Sequence, residues 1–334
     1  MEVRGRRVKT RECRTAAPHE DPYVVHLRSP VGLLLAFLLA ALVTQGTARA
    51  QDMPLGQVLI DGQDWQLVAE GYKFTEGPAV DRQGNVFFTD IPANRIHKID
   101  TAGKVTVFAE NTAGSNGLMF GPDGRLYACR SGARQIVAYD TSGKDASSRF
   151  RIVAEDIDSN DLVVTSGGGI YVTDPPKKQV WHIDPKGNKR VVARGFAPNG
   201  IILWPDEGTL VVTDSDAPHL WTYRVEADGS LKYGDRYYQP LALPPGRDRP
   251  GSDGMTVDQG GRLYVCTHAG LQMFDTTGRL GGVIRKPQEK FLSNVVFGGE
   301  KFDYLYVTCT DKVYRRKVKP TGAPYFLRAG GAKK

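Results

Sequence analysis

The chain has 334 residues, of which 40% are hydrophobic and 24% charged, ordinary proportions for a globular protein with a large core. Its formal net charge is +7, but the first fifty residues hold eight Lys/Arg against four Asp/Glu, so the rest is only mildly basic. No tract after residue 51 is basic enough to suggest a nucleic-acid surface.

The first element in chain order is Val31–Val43 (VGLLLAFLLAALV), thirteen residues without a polar side chain. A membrane-spanning helix needs roughly 20. Arg28 precedes the run and Ala48-Arg49-Ala50 follows it, the pattern of an export signal cleaved before Gln51. The expectation is therefore a periplasmic or secreted protein whose residues 1–50 take no part in the fold, with translation starting nearer Leu27 or Val31. An uncleaved membrane anchor is the alternative.

From Thr75 onward one phrase recurs six times: TEGPAVDRQGNVFFT (from Thr75), SNGLMFGPDGRLYAC (from Ser115), SNDLVVTSGGGIYVT (from Ser159), PNGIILWPDEGTLVVT (from Pro198), SDGMTVDQGGRLYVC (from Ser252) and SNVVFGGEKFDYLYVT (from Ser293). Anchored on Gly77, Gly117, Asp161, Gly200, Gly254 and Val295, the copies are spaced by 40, 44, 39, 54 and 41 residues. Each copy is a short apolar strand, a turn such as Pro122–Arg125 (PDGR), and a return strand. Further strand-like sequence follows, for example Arg134–Asp140, and no convincing helical periodicity appears after residue 51. Short strands repeating every 40–50 residues predict an all-β six-bladed propeller, with four antiparallel strands per blade, over residues 51–334. The long fourth spacing predicts a loop over one face between Gly234 and Gly251.

The register aligns two polar columns. Just before the anchors stand Glu76, Asn116, Asn160, Asn199, Asp253 and Asn294, every one bearing a side-chain oxygen. The return strands end in Asp90, Arg130, Asp174, Asp214, Thr267 and Cys309, with His268 next in line. In an antiparallel pair the start of one strand lies beside the end of the next, so both columns gather at one mouth of the channel. Such an oxygen-rich ring is costly unless occupied, and a hard divalent cation, calcium first, suits it. Zinc suits it poorly, because His97, His182, His219 and His268 form no ligand-spaced set. The second column has a plainer reading as local hydrogen bonding by Asx side chains. Cys129, Cys266 and Cys309 lie at positions that cannot pair, predicting three free, buried thiols.

The motifs EGP at Glu76, SND at Asn160, YVTDPP from Tyr171, PNGI at Asn199 and SDGM at Asp253 resemble the gluconolactonase/senescence-marker-protein (regucalcin-like) family over about residues 68–318. The resemblance implies a six-bladed propeller that opens sugar lactones using one divalent metal. That metal is usually calcium, with zinc, magnesium or manganese as substitutes, held by Glu76, Asn160, Asn199 and Asp253. It further implies that Asn116 lines the substrate pocket. Two departures, Arg130 in CRSG and PPKKQ after Asp174, point to a substrate other than gluconolactone. Arg130 and Asp174 are taken as rim residues that contact substrate, Arg130 pairing with a carboxylate or alternatively with a neighbouring Asp. The expected mechanism is metal-assisted hydrolysis with Asp253 as general base and His268 in reserve. The alternatives are hydrolysis of another ester or phosphotriester, a non-catalytic exported propeller binding a sugar acid or a protein, and a strictosidine-synthase-like propeller.

Overall fold

Each repeated phrase folds as the two inner strands of one blade. A computed structural model describes residues 54–142 and 149–324, and the export signal read in residues 1–50 lies outside them. The first blade is β2 (Thr75–Val80), β3 (Val86–Asp90), β4 (Arg95–Ile99) and β5 (Val105–Glu110). The second is β6 (Ser115–Phe120), β7 (Leu126–Arg130), β8 (Gln135–Tyr139) and β9 (Phe150–Glu155). The third is β10 (Leu162–Val164), β11 (Ile170–Asp174), β12 (Gln179–Ile183) and β13 (Lys189–Arg194). The fourth is β14 (Pro198–Leu203), β15 (Thr209–Asp214), β16 (Leu220–Val225) and β17 (Leu231–Asp235). The fifth is β18 (Met255–Val257), β19 (Leu263–Thr267), β20 (Gly270–Phe274) and β21 (Leu280–Ile284). The sixth contains β22 (Asn294–Gly298), β23 (Tyr304–Cys309) and β24 (Lys312–Lys317), and its outer strand is β1 (Gln66–Glu70), from the other end of the chain. Pairing β1 with β24 closes the ring, so the last blade needs no fourth strand of its own.

Burial follows from this placement. Second strands such as β3 and β11 are buried throughout, while the outer strands β5, β9 and β13 each keep only one fully buried residue. Apolar side chains meet across the seams between blades. Phe87 and Ile96 of the first blade pack with Leu118 and Leu126 of the second, and each of the other five seams has its own core. A sheet with both faces covered loses apolar area to water on both sides, which is what makes the closed ring stable. Among the described residues no helix is long and apolar enough to cross a membrane.

The long fourth spacing corrects the expected Gly234–Gly251 loop. Gly234 and Asp235 belong to β17, and Tyr238 and Leu241 are buried in the seam between the fourth and fifth blades. There Gln272 clamps Ala242 through both its backbone N–H and C=O. Only the stretch after Ala242 reaches the mouth face.

Candidate active site

The heads of the inner strands do not run straight. Between Glu76 and Ala79, Ser115 and Leu118, and Pro198 and Ile201, the inner strand carries one more residue than its partner. A bulge of this kind bends the strand and re-aims the side chain at its head. Four of the six anchors are glycines because the strands nearly touch: a Cβ on Gly200 would lie 2.1 Å from the carbonyl oxygen of Asp253, and one on Gly254 would lie 1.9 Å from the Asn294 side chain. The repeated Gly is therefore a packing requirement at the axis as much as a turn signal.

The crowding draws four polar side chains together. Glu76, Asp161, Asp253 and Asn294 are each at most 8% exposed. Asn294 Nδ2 donates to Glu76 Oε2 and to Asp161 Oδ2, both at 3.3 Å, and Glu76 Oε2 also accepts from the Gly77 N–H at 2.8 Å. Glu76 and Asp253 share a side-chain hydrogen bond. Burial pushes Glu76 up to about 7, with the Asp161 charge adding to it. Asp161 is likewise raised to about 7 by burial. Asp253 is driven well above the usual carboxylate range by burial and by the charges of Glu76 and Asp161.

Asn116, Asn160 and Asn199 complete the ring as half-buried residues whose side chains make no hydrogen bond among the described residues, and Asn199 Oδ1 is fully buried without a partner. Among the described residues no three His, Cys, Asp or Glu side chains form a ligand cluster, and the amide oxygens of these asparagines are further oxygen donors on the ring. Beneath the ring the channel turns apolar. Pro78, Leu118, Leu162, Ile201, Met255 and Val296, one from each inner strand, line a cavity of about 90 Å³, with Asp161 and Asn294 at its upper edge.

Asp161 is the residue that sequence reasoning missed. It stands where four of the other copies have Gly, and that substitution at an otherwise small position was the available signal. Its carboxylate takes the space against Gly117, where an added Cβ would lie 2.3 Å from Asp161 Oδ1.

The second column serves the blades. Asp90 accepts from the Lys73 and Phe74 N–H groups, and Asp214 from the Ala197 and Asp216 N–H groups and Trp221 Nε1. Asp174, expected at the substrate rim, is fully buried and accepts from Gln179 Nε2, Trp181 Nε1 and the Lys177 N–H. Arg130 also turns away from the mouth. Its guanidinium lies over the Phe150 ring on the outer strand, at 4.6 Å, and donates to Gln135 Oε1 and the Asn111 carbonyl. It pairs with no Asp of its column among the described residues. His268 does sit at the mouth face, its ring 5.2 Å from that of Phe291 and packed so closely on Gly251, two residues before Asp253, that a Cβ there would lie 2.3 Å from its Cδ2. Cys129, Cys266 and Cys309 are free and buried.

Fold and centre together define the class: a six-bladed propeller that concentrates buried carboxylates and open amide oxygens at one end of its axis. Residues 74–311 match the SMP-30/gluconolactonase/LRE-like region, and the chain belongs to that family. A gluconolactonase from Zymomonas mobilis is 28% identical over 303 residues, covering 77% of this chain and 82% of its own. A pentonolactonase from Haloferax volcanii is 25% identical over 252 residues, covering 73% of this chain and 84% of its own. Among solved structures, a gluconolactonase from Xanthomonas campestris matches with a TM-score of 0.70 at 24% identity, over 81% of this chain and 94% of that one. The calcium-binding protein regucalcin from Agrobacterium tumefaciens matches at 0.65 with 18% identity, over 78% and 95%. These two likenesses show the fold.

Proposed function

We propose that this protein hydrolyses a sugar-type lactone with the help of one divalent cation, calcium, held at the channel mouth by Glu76, Asn160, Asn199 and Asp253. The observation that carries the proposal is the pairing of Glu76 with Asp253 in a dry site beside the unpartnered Asn199 Oδ1. Burial raises the proton affinity of both carboxylates, the charge of Glu76 raises that of Asp253 further, and an orphaned buried amide oxygen costs free energy. Both costs vanish if a hard, oxygen-seeking dication sits among them, and the donor set is of the type calcium accepts. The lactonase relatives support the lactone-hydrolysing part of this reading.

When bound, such a cation supplies a Lewis acid for the lactone carbonyl oxygen. The protein's own residues do the rest. The floor under the ring is largely apolar and offers no competing base. Asn116, half-buried and unengaged, offers its amide to a ring hydroxyl. Asp253 takes the proton of the attacking water, with His268 as the alternative base. Burial, and after it the charges of Arg247 and Lys286, lower the pKa of His268, so its imidazole is neutral and able to accept at pH 7. The new bond joins the water oxygen to the carbonyl carbon, the ring C–O bond breaks, and the proton ends on the departing hydroxyl.

A screen of aldonolactones, aryl esters and phosphotriesters with calcium, magnesium, manganese, zinc or chelator tests this proposal. Lactone turnover that chelation abolishes and Asp253→Asn removes, with the fold intact, is the expected result. Turnover indifferent to chelation sinks the metal assignment, and ligand binding without turnover identifies a binding propeller instead. The proposal also takes the protein to be exported, from the run Val31–Val43 and the Ala48-Arg49-Ala50 exit. N-terminal sequencing of the cell-derived protein should begin at Gln51.

A further inference from the structure

The fourth spacing is long because it carries a feature the other blades lack. After Ala242 the chain rises to the mouth face and passes over the fifth blade, where Leu243, Pro244 and Arg247 face His268, Arg285 and Lys286 across a cavity of about 650 Å³. Three of its lining side chains are cationic, and Glu289 is the only carboxylate. Glu289, 89% exposed, pairs only with Lys286, at 3.9 Å, and the exposed Arg247 and Arg285 guanidinium groups have no ion-pair or hydrogen-bond partner among the described residues. Lys286, by contrast, is held in place, its Nζ donating to the Glu289 carbonyl with a side chain only 15% exposed.

The cavity adjoins the axial centre. His268 lines it and is two residues from Cys266, whose N–H and C=O bridge Gly254 and Asp253. At about 3.3 Å per residue along a strand, that is about 7 Å of backbone. Phe291 forms the other wall and stacks at 6.5 Å on Phe74, two residues before Glu76. The His268 imidazole responds to burial first and then to both Arg247 and Lys286, so these charges bear on one point at the mouth.

From this juxtaposition we propose that the cavity of Arg247, Arg285 and Lys286 is an anion subsite, and that the preferred substrate is an acidic lactone bearing a carboxylate or phosphate away from the scissile ester. The assignment rests on the lactonase reading of the axial centre and adds the substrate class. Unpaired guanidinium groups above apolar and aromatic walls suit a planar or tetrahedral oxyanion, which they bind in a fork. The anionic recognition once expected of Arg130 moves to residues that the repeat register does not align.

The experiment compares neutral gluconolactone, its carboxylate counterpart glucarolactone and its phosphate counterpart phosphogluconolactone, using the full chain. Wild type should favour at least one acidic lactone over the neutral one by tenfold or more in kcat/KM. Which acid wins identifies the anion as carboxylate or phosphate. Arg247→Gln/Arg285→Gln should cut the acidic-to-neutral ratio at least tenfold, chiefly through KM, and Arg247→Lys, which keeps the charge but loses the fork, should fall between the double variant and wild type. A second arm measures calorimetric binding of glucarate, gluconate and phosphogluconate. If no lactone is turned over but the acidic ligands bind tenfold tighter and the double variant loses that preference, the subsite stands and the lactonase reading falls. If gluconolactone is turned over while neither acid is preferred in rate or binding, the subsite falls and the lactonase reading stands.

Discussion

Asn294 Nδ2 lies 3.3 Å from Glu76 Oε2, so the last blade's inner strand donates directly to the first blade's carboxylate at the axis. The same amide reaches Asp161 Oδ2, tying the third blade in as well. Ring closure and the candidate catalytic centre are thus one network. Changes that loosen the ring should be felt as loss of chemistry.

The first prediction concerns the close approach of the inner strands. Gly200→Ala places a methyl group 2.1 Å from the Asp253 carbonyl oxygen, a backbone atom that cannot swing aside. The variant should lose about 2 kcal/mol of stability, the usual scale of overpacking. Because the displaced backbone is that of Asp253, kcat should fall further than the folded fraction does. Denaturant unfolding alongside activity on the folded fraction measures both. Wild-type stability in this variant would mean that the strands can part.

A second prediction concerns pH. Glu76 and Asp161 are each raised to about 7 in the folded protein, well above their ordinary carboxylate values. Between those values the folded state binds more protons than the unfolded, so stability falls as pH rises. In chelated protein, the contribution of these groups should be fully present below their ordinary carboxylate values and should decline as pH rises to about 7. Glu76→Gln should flatten the decline. Thermal melts across pH with chelator present test the sign, and a rise in Tm from pH 5 to 8 would contradict it.

Calcium should reverse that decline, since ligation favours the ionised carboxylates. At a free concentration a hundredfold above its Kd, one bound ion adds about 2.7 kcal/mol to the folded state. Glu76→Gln and Asn199→Leu should each weaken calcium binding by at least tenfold in titration calorimetry. Unchanged affinity in both would move the metal elsewhere or remove it.

Asp174 provides a control that separates structure from chemistry. Its buried carboxylate accepts from Gln179, Trp181 and the Lys177 N–H, and hydrogen bonds to a charged group contribute about 1.5–3 kcal/mol each. Asp174→Ala, which removes all three at once and leaves the donors unpaired, should lower stability by about 4 kcal/mol or more. Calcium affinity and KM, measured well below its Tm, should match wild type. A selective rise in KM would restore Asp174 to the substrate rim.

The ring Glu76, Asn116, Asn160, Asn199, Asp253 and Asn294 is legible without coordinates because blade geometry repeats with the copied phrase. The second column is equally legible as a column, but its purpose is not. Asp90, Asp174 and Asp214 look the same in a list whether they face a ligand or a Trp Nε1 and backbone donors. Arg130 is misleading for the same reason, because a register position says on which strand a side chain starts and not where a long one ends.

The linear order of residues was sufficient to determine the number of blades, the level of the axis at which oxygen atoms gather, and the solitary thiols, because these depend on periodicity alone. Only tertiary structure decided that β1 from the start of the chain completes the sixth blade, that Asp161 enters the axis, and that the chain after Ala242 carries Arg247 over His268 to face Arg285 and Lys286. Those outcomes depend on contacts between residues that share no period. They are set by which surfaces meet when the ring closes.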